Sequence, residues 1–520
     1  MTILTEESLE FAREHVERYY DSDFYPKPFE FDAIWCCWSD VKRFLLATNV
    51  HKLPVMPAKA TSWPKHRGGY RIVHQLDPID AIIYTALVYQ VSGPIERARF
   101  GADRGIACAY RIELDHGSFF ARGNGYDQFR ERSRQLAENY RYVLLVDVAD
   151  FYNQVYVHRV NNAIEHASPA VKGLADDIET FLGKINSTIS QGIPVGPAAS
   201  IVLAEAVMMD VDQFLVGLGH PHCRYVDDFR IYAGTEQELL IVQQSLTLYL
   251  YQNHRLSISH DKTKLGGSDE FLRSEIDNPY EIQKVETFEK LDALGGYGSP
   301  ETDDKSDKGR GTVDPEAAEE VENTVLAALK AMVERKTLDL GYARALVRQA
   351  RLIKSWAIAI YLLENIRFFL SLTNNVCILL NSVTNTENAR YIAWPLEKAL
   401  EYIQSHGGLV RYWFDWFVAE KYWLMPLAVR DLLRSSPFMM SKARYAVLSN
   451  DLSWVRQRKN EYFQYGPDER RAVLYAAQIL PNDEKEHWLK AVVASSLVPL
   501  ERWVAEYVES IDDLDGNLPF

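Results

Sequence analysis

Apolar positions in this chain change rhythm several times, and each change marks an element. Leu9, Phe11, Val16 and Tyr19 form a helical stripe that starts after Thr5, with Glu6 and Glu7 in the first turn. Tyr25-Pro26-Lys27-Pro28 breaks it, and a second helix is expected over 31–46. Residues 51–76 lose the helical period. They predict an irregular basic hairpin that turns at Gly68-Gly69, with Lys65 and Arg71 on its two arms. Ile79, Ile82, Ile83, Leu87, Tyr89 and Val91 restore a helix over 78–96. Tyr142 to Val148 is apolar except for Asp147 and predicts a buried central strand that delivers this acid to the sheet's edge. A Gly- and Pro-rich loop over 190–197 precedes a helix over 198–218, whose first residues, Ala198, Ala199 and Ser200, are small. Short β-branched and aromatic runs then flank Asp227-Asp228. They predict a tight hairpin with both acids at its turn, because Asp tolerates turn geometry that a β-branched residue resists. A helix over 236–253 follows, and Leu256-Ser257-Ile258-Ser259 alternates like a strand that runs on to Lys262 and Lys264.

Residues 295–312 are polar, Gly-rich and without apolar period, and predict a linker. Beyond residue 314 the pattern is helical, with breaks at Pro395, Gly407-Gly408, Pro426, Pro437, Gly466-Pro467 and Pro481 and no strict repeat. It suits an irregular array of helix pairs of HEAT-like, solenoid type. Four segments result: a helical stretch 1–50, a mixed segment 51–266, a connector 267–313 and an α-helical domain 314–520.

The chain has 520 residues, of which 47% are hydrophobic, enough for two or three cores. No apolar run approaches a membrane span, and acids stand near the N-terminus where a signal peptide carries bases; a cytoplasmic protein with no membrane association is expected. The five cysteines form no Cys-x-x-Cys pair, which argues against a disulfide framework or structural zinc. A net charge of −15 argues against a protein coated by nucleic acid. The charge is uneven, however. Lys52, Lys59, Lys65, Arg67 and Arg71 occur with no acid from 51 to 76, and Arg97, Arg99, Arg104 and Arg111 follow. Such clusters suit either a local polyanion site or a solvated basic face.

A carboxylate at the end of so apolar a strand is costly unless paired or bound to metal, or unless Asp147 caps a following helix. Together Asp147, Asp227 and Asp228 could hold two divalent cations about 3.5–4 Å apart, the arrangement that serves in-line phosphoryl displacement. Mg2+ suits these oxygen donors, with Mn2+ as an alternative. Lys65 and Arg71 could grip a triphosphate, and Tyr152 could lie flat under an incoming sugar.

The order and spacing of these residues resemble reverse transcriptases. Asp147-x-x-x-Phe151-Tyr152 is similar to motif A. Gln191-Gly192-x-Pro194-x-Gly196-Pro197-x-x-Ser200 is similar to motif B, Tyr225-Val226-Asp227-Asp228 to motif C, and Lys262-Thr263 to motif D. The resemblance covers about residues 50–265. It implies an α+β right-hand polymerase with fingers and palm built on an antiparallel sheet with helices. Asp147, Asp227 and Asp228 would be metal ligands, with the Val148 carbonyl nearby. Lys65 and Arg71 would contact the triphosphate, Tyr152 would be the steric gate, Gln191 would line the nucleotide pocket and Lys262 would donate a proton to pyrophosphate.

The all-helical C-terminal half, and less specifically Tyr110-Arg111 … Asp115 … Gly117-Ser118-Phe119-Phe120, resembles bacterial abortive-infection and unknown-group reverse transcriptases. That likeness implies an oligomeric anti-phage nucleotidyltransferase of the bacterial cytoplasm. It would polymerise dNTPs without a template into single-stranded DNA attached to one of its own tyrosines. Tyr19, Tyr20 and Tyr25, which precede the palm, are the candidates for that tyrosine. Two alternatives stay open: a templated enzyme copying a specific non-coding RNA, and an idle scaffold that acts through its helical half.

Overall fold

The computed structural model describes residues 4–20, 24–66, 68–123, 125–295 and 315–511. The expected linker at 295–312 thus falls almost wholly outside the described residues. The chain packs as two compact units, each assembled from three stretches. One comprises Met1–Asp23, Leu45–Ala60 and Val73–Thr312, and the other Phe24–Phe44, Thr61–Ile72 and Val313–Phe520, as far as the described residues go.

In the first unit, strands β1 (Lys59–Pro64) and β2 (Tyr70–Gln75) pair as a hairpin, whose tip belongs to the second unit. Strands β3 (Ile112–Asp115) and β4 (Ser118–Phe120) form another. The main sheet combines β5 (Tyr142–Asp147), β6 (His222–Tyr225), β7 (Asp228–Ala233) and β8 (Lys264–Gly267) in the order β6-β7-β5-β8. Each neighbouring pair is antiparallel. The apolar run at 142–147 is therefore an inner strand, as its continuous hydrophobicity predicts: Val143, Leu144 and Val146 are buried. Helix Gly125–Asn139 covers one face through Phe129, Leu136 and Ala137, which pack with Val143, Cys223 and Tyr232.

Some expectations shift. The helix foreseen over 31–46 is two helices, Glu30–Cys36 and Trp38–Ala47, parted at Cys37. The strand foreseen from Leu256 to Lys264 begins only at Lys264. Before it, Ile258 makes a single bridge to Val148, and His260–Lys262 is a turn of 3-10 helix. The alternating residues 256–259 thus run antiparallel beside the end of β5, and the turn interrupts the pairing before β8 resumes it in the same direction, from Leu145↔Lys264 to Tyr142↔Gly267.

The second unit is all-α in its C-terminal part. Helices Leu340–Leu352, Thr373–Val383, Gly408–Glu420, Met439–Ser449, Pro467–Ala476 and Pro499–Ser510 form one row in which each contacts the next. Helices Trp356–Glu364, Ala389–His406 and Leu427–Arg434 form a second row. Leu346, Val376, Phe414, Phe417, Leu432, Val473 and Val504 bury its core completely. A 40-residue correspondence, not apparent as a strict repeat in the sequence, emerges from this packing. The 3-10 turns Tyr422–Leu424 and Tyr462–Gln464 each bury a tyrosine with an exposed aromatic edge-on beside it, Trp423 at 90° and Phe463 at 82°. Each buried ring carries an arginine eight positions on, Arg430 at 4.8 Å and Arg470 at 6.0 Å. The earlier stretches are tied into this unit. Trp413 Nε1 donates to the Phe24 carbonyl, Arg471 pairs with Glu30, and Trp63 and His66 bond to Ser371 and Leu338. Among the described residues no helix is long and apolar enough to cross a membrane.

Candidate active site

Strand pairing sets the centre of the site. Asp147 is the last residue of β5 and Asp228 the first of β7, and the two face each other in register. The Val148 N–H donates to the Asp227 carbonyl at 3.2 Å, which ties the turn before β7 to the end of β5. The Ser259 N–H donates to the Asp147 carbonyl at 2.8 Å, and the Lys262 ammonium meets Asp147 Oδ1 at 2.7 Å. Asp147, Val148, Asp227, Asp228 and Lys262 are therefore brought together from three separated stretches of chain. The 3-10 turn that displaced the expected strand is what swings Lys262 onto Asp147.

The charges conflict. Burial, then the neighbouring Asp147, pushes the Asp227 carboxyl up to about 6. Burial and Asp147 also push Asp228 up to about 6, against the opposing pull of Arg230. Crowded acids of this kind favour a bound cation. The donors are all oxygens, which suits a hard divalent ion. Their convergence is only partial: among the described residues no group of three or more His, Cys, Asp or Glu side chains is arranged as a metal cage.

The hairpin turn differs from expectation. The left-handed position is taken by Val226, with φ 57°, not by an aspartate. A β-branched residue there costs about 1–3 kcal/mol and persists only when its surroundings over-determine it. Here they do. Arg224, fully buried, donates through Nη1 to the Val226 carbonyl at 3.1 Å. The same guanidinium holds Asp212 through three bonds, at 2.8, 3.0 and 2.9 Å, and reaches Glu205 at 3.0 Å. Glu205 also accepts from Arg99 at 2.7 Å. Burial alone would lower the Arg224 pKa, but Asp212 and Glu205 raise it well above the usual arginine value. Sequence reading grouped Arg99 and Arg111 with a polyanion-binding cluster. Instead Arg99 is buried in this network and Arg111 pairs with Glu96, so neither guanidinium is left for a phosphate. The signal that could have exposed the network is two buried acids seven positions apart, Glu205 and Asp212, on the mainly apolar helix Ala198–Gly217, whose third acid, Asp210, pairs elsewhere with His254.

Tyr152 and Gln191 lie on an adjoining ladder. Tyr152 is on the short helix Phe151–Gln154, which follows Asp150 in a left-handed conformation. The Tyr152 carbonyl accepts from Ile193 at 2.9 Å, Val155 accepts from Gly192 at 2.8 Å, and Gln191 bridges to Tyr156. Asn186 Nδ2 fastens the carbonyls of Gln191 and Gly192. Lys65 and Arg71 are exposed on the hairpin tip Thr61–Ile72, which packs with the second unit. The tyrosines also separate. Tyr19 and Tyr20 end the N-terminal helix, and Tyr20 accepts from Gln75 at 3.5 Å. Tyr25 is 3% exposed, and burial pushes its hydroxyl up to about 12 despite a bond with Thr61, a poor setting for a group that must carry a growing chain.

Residues 63–276 match the family model described as reverse transcriptase (RNA-dependent DNA polymerase), so the chain carries a reverse transcriptase domain that contains all of this site. No curated protein sequence matches the chain. Solved structures similar to it include a telomerase from Candida albicans in complex with a fragment of telomeric RNA, at 10% identity and TM-score 0.33, with 70% of each chain covered. Another is an apo telomerase from Candida tropicalis, at 12% identity and TM-score 0.35, with 71% of each chain covered. Both likenesses are too distant to bear on function.

Proposed function

We propose that this protein is a DNA polymerase of reverse-transcriptase type that serves bacterial anti-phage defence by abortive infection. In this reading it extends deoxynucleotides without a template, from a tyrosine of its own chain, as a cytoplasmic homo-oligomer. The observation that carries the polymerase reading is the register pairing of Asp147 with Asp228, with Asp227 tied by its carbonyl to Val148, inside the matched domain. Asp147, Asp227, Asp228 and the Val148 carbonyl would hold Mg2+, or Mn2+, which when bound supplies charge to a nucleotide's phosphates and acidifies an attacking hydroxyl. Lys262 pairs with Asp147, and in this reading it would pass a proton to the departing pyrophosphate. Tyr152 and Gln191 would bound the sugar side of the pocket, and Lys65 and Arg71 would meet the triphosphate. Of the three candidate priming residues, the burial of Tyr25 favours Tyr19 and Tyr20.

A second reading, a templated enzyme copying an RNA, is supported by the RNA-dependent activity named in the matched family's description. One experiment separates the two. Nuclease-treated protein is given Mg2+ and labelled dNTPs with neither primer nor template. Label that survives denaturation on the protein, and that Asp227→Asn abolishes, supports self-primed synthesis, and peptide mapping then names the tyrosine. Synthesis only when co-purified RNA is restored supports the templated reading. No incorporation in either case sinks both.

A further inference from the structure

Helix Ala389–His406 buries one face through Ile392, Leu396 and Ile403. Its other face carries Tyr391, Trp394, Lys398 and Tyr402 at spacings of three and four, a single stripe about 17 Å long. Tyr391 is 46% and Trp394 55% exposed. Exposed rings this large are usually covered or used. They are also ordered. Trp356, from the neighbouring helix, stacks on Tyr391 at 5.7 Å and 27°. Each ring of the stripe carries a cation: Arg390 lies 4.5 Å over Tyr391, Lys398 3.3 Å over Trp394 and Arg367 4.8 Å over Tyr402.

The stripe continues toward the hairpin tip in the same unit. Tyr70, 57% exposed, lies close enough to Tyr402 to help raise its proton affinity, and Lys65 and Arg71 are exposed on that tip. Ring faces alternating with cations match one polymer, a strand whose flat bases stack and whose phosphates repeat. Glu397 and Glu401 are exposed on the same helix and temper its charge. An apolar protein partner would leave three cations unmatched.

We propose that this face of the helical unit binds single-stranded nucleic acid, with bases stacking on Tyr391 and Trp394 and phosphates paired to Arg390 and Lys398. The test measures binding, not synthesis, so it stands or falls apart from the polymerase reading. Full-length protein carrying Asp227→Asn, without nucleotides, is titrated against labelled dT20 and U20 by fluorescence anisotropy at two salt concentrations. Trp394→Ala and Tyr391→Ala should each weaken binding about tenfold. Arg390→Gln with Lys398→Gln should flatten the salt dependence, and Glu397→Gln with Glu401→Gln should tighten binding. All these side chains are at the surface, so thermal melts should match the parent. A loss confined to dT20 marks the strand as DNA, a loss confined to U20 marks it as RNA, and a loss in both marks the shared chemistry. Unchanged affinity for both oligonucleotides in the ring variants overturns the proposal.

Discussion

The Arg224 guanidinium donates to the carbonyl of Val226 from 3.1 Å, and so a fully buried cation holds the strained residue that aims Asp227 and Asp228. Lysine keeps the charge but has no planar fork to serve Asp212, Glu205 and a carbonyl at once. Arg224→Lys should therefore fold but lower the rate of nucleotide incorporation about tenfold or more while leaving the apparent KM for dNTP nearly unchanged. Steady-state kinetics beside a melting curve checks this. Equal losses in Tm and rate, with activity restored by cooling, would mark Arg224 as merely structural.

Asp212 gives the network a pH signature. Burial would raise its pKa, but Arg224 and His222 more than offset this, and the folded value lies below normal. A depressed carboxyl contributes stability above its unfolded pKa, about 3.9, and loses it as pH falls through the folded value. Asp212→Asn should cost about 3–5 kcal/mol at pH 7 by leaving Arg224 under-paired. The difference between variant and parent should shrink steadily toward pH 3. Denaturant melts at four pH values decide it, and a constant difference would contradict the assignment.

The acid pair should trade stability for activity. Burial and Asp147 push Asp227 and Asp228 up to about 6, so at pH 8 both are ionised against their surroundings. Asp227→Asn removes one of these charges at almost no change in volume. Its Tm in chelator at pH 8 should equal or exceed the parent's, while incorporation falls at least about a hundredfold. A clear drop in Tm would show that the carboxylate is needed for folding.

Val226 should invert the usual order of truncations. Alanine keeps a side chain in the left-handed region, whereas glycine relieves a cost of about 1–2 kcal/mol and loses only one further methyl, about 0.8 kcal/mol. Val226→Gly should therefore be at least as stable as Val226→Ala. Parallel urea titrations test this, and alanine proving the milder change would mean that the turn is not strained.

The sequence made the sheet legible where one face or both had to be buried. The run ending at Asp147 and the β-branched and aromatic runs around Asp227-Asp228 each led to the strands observed, although Asp228, expected in the turn, begins the second of them. Lys262 was legible as a residue but not in its place. The pattern Leu-x-Ile-x reads as a strand, whereas those residues meet β5 only at a bridge before a turn. The Arg99–Glu205–Arg224–Asp212 network was hidden because each member alone reads as an ordinary surface charge, and only the packed helix Ala198–Gly217 brings them together. The correspondence between Tyr422 and Tyr462 escaped because the positions between them diverge, and only the buried ring, the aromatic beside it and the arginine recur.

The composition of the second unit from distant stretches has a consequence for synthesis. Its hairpin tip ends at Ile72, and although Phe24 and Tyr25 already meet Trp63 and Thr61, the tip's later hydrogen-bond partners begin at Leu338 and the helical rows finish at Ser510. At about 5–20 residues per second, a ribosome needs tens of seconds to produce the intervening chain. Through that interval Trp63 and His66 exist without the Ser371 carbonyl and the Leu338 N–H that they bond to. A product truncated before Leu338 therefore carries the hairpin tip without either of those bonds.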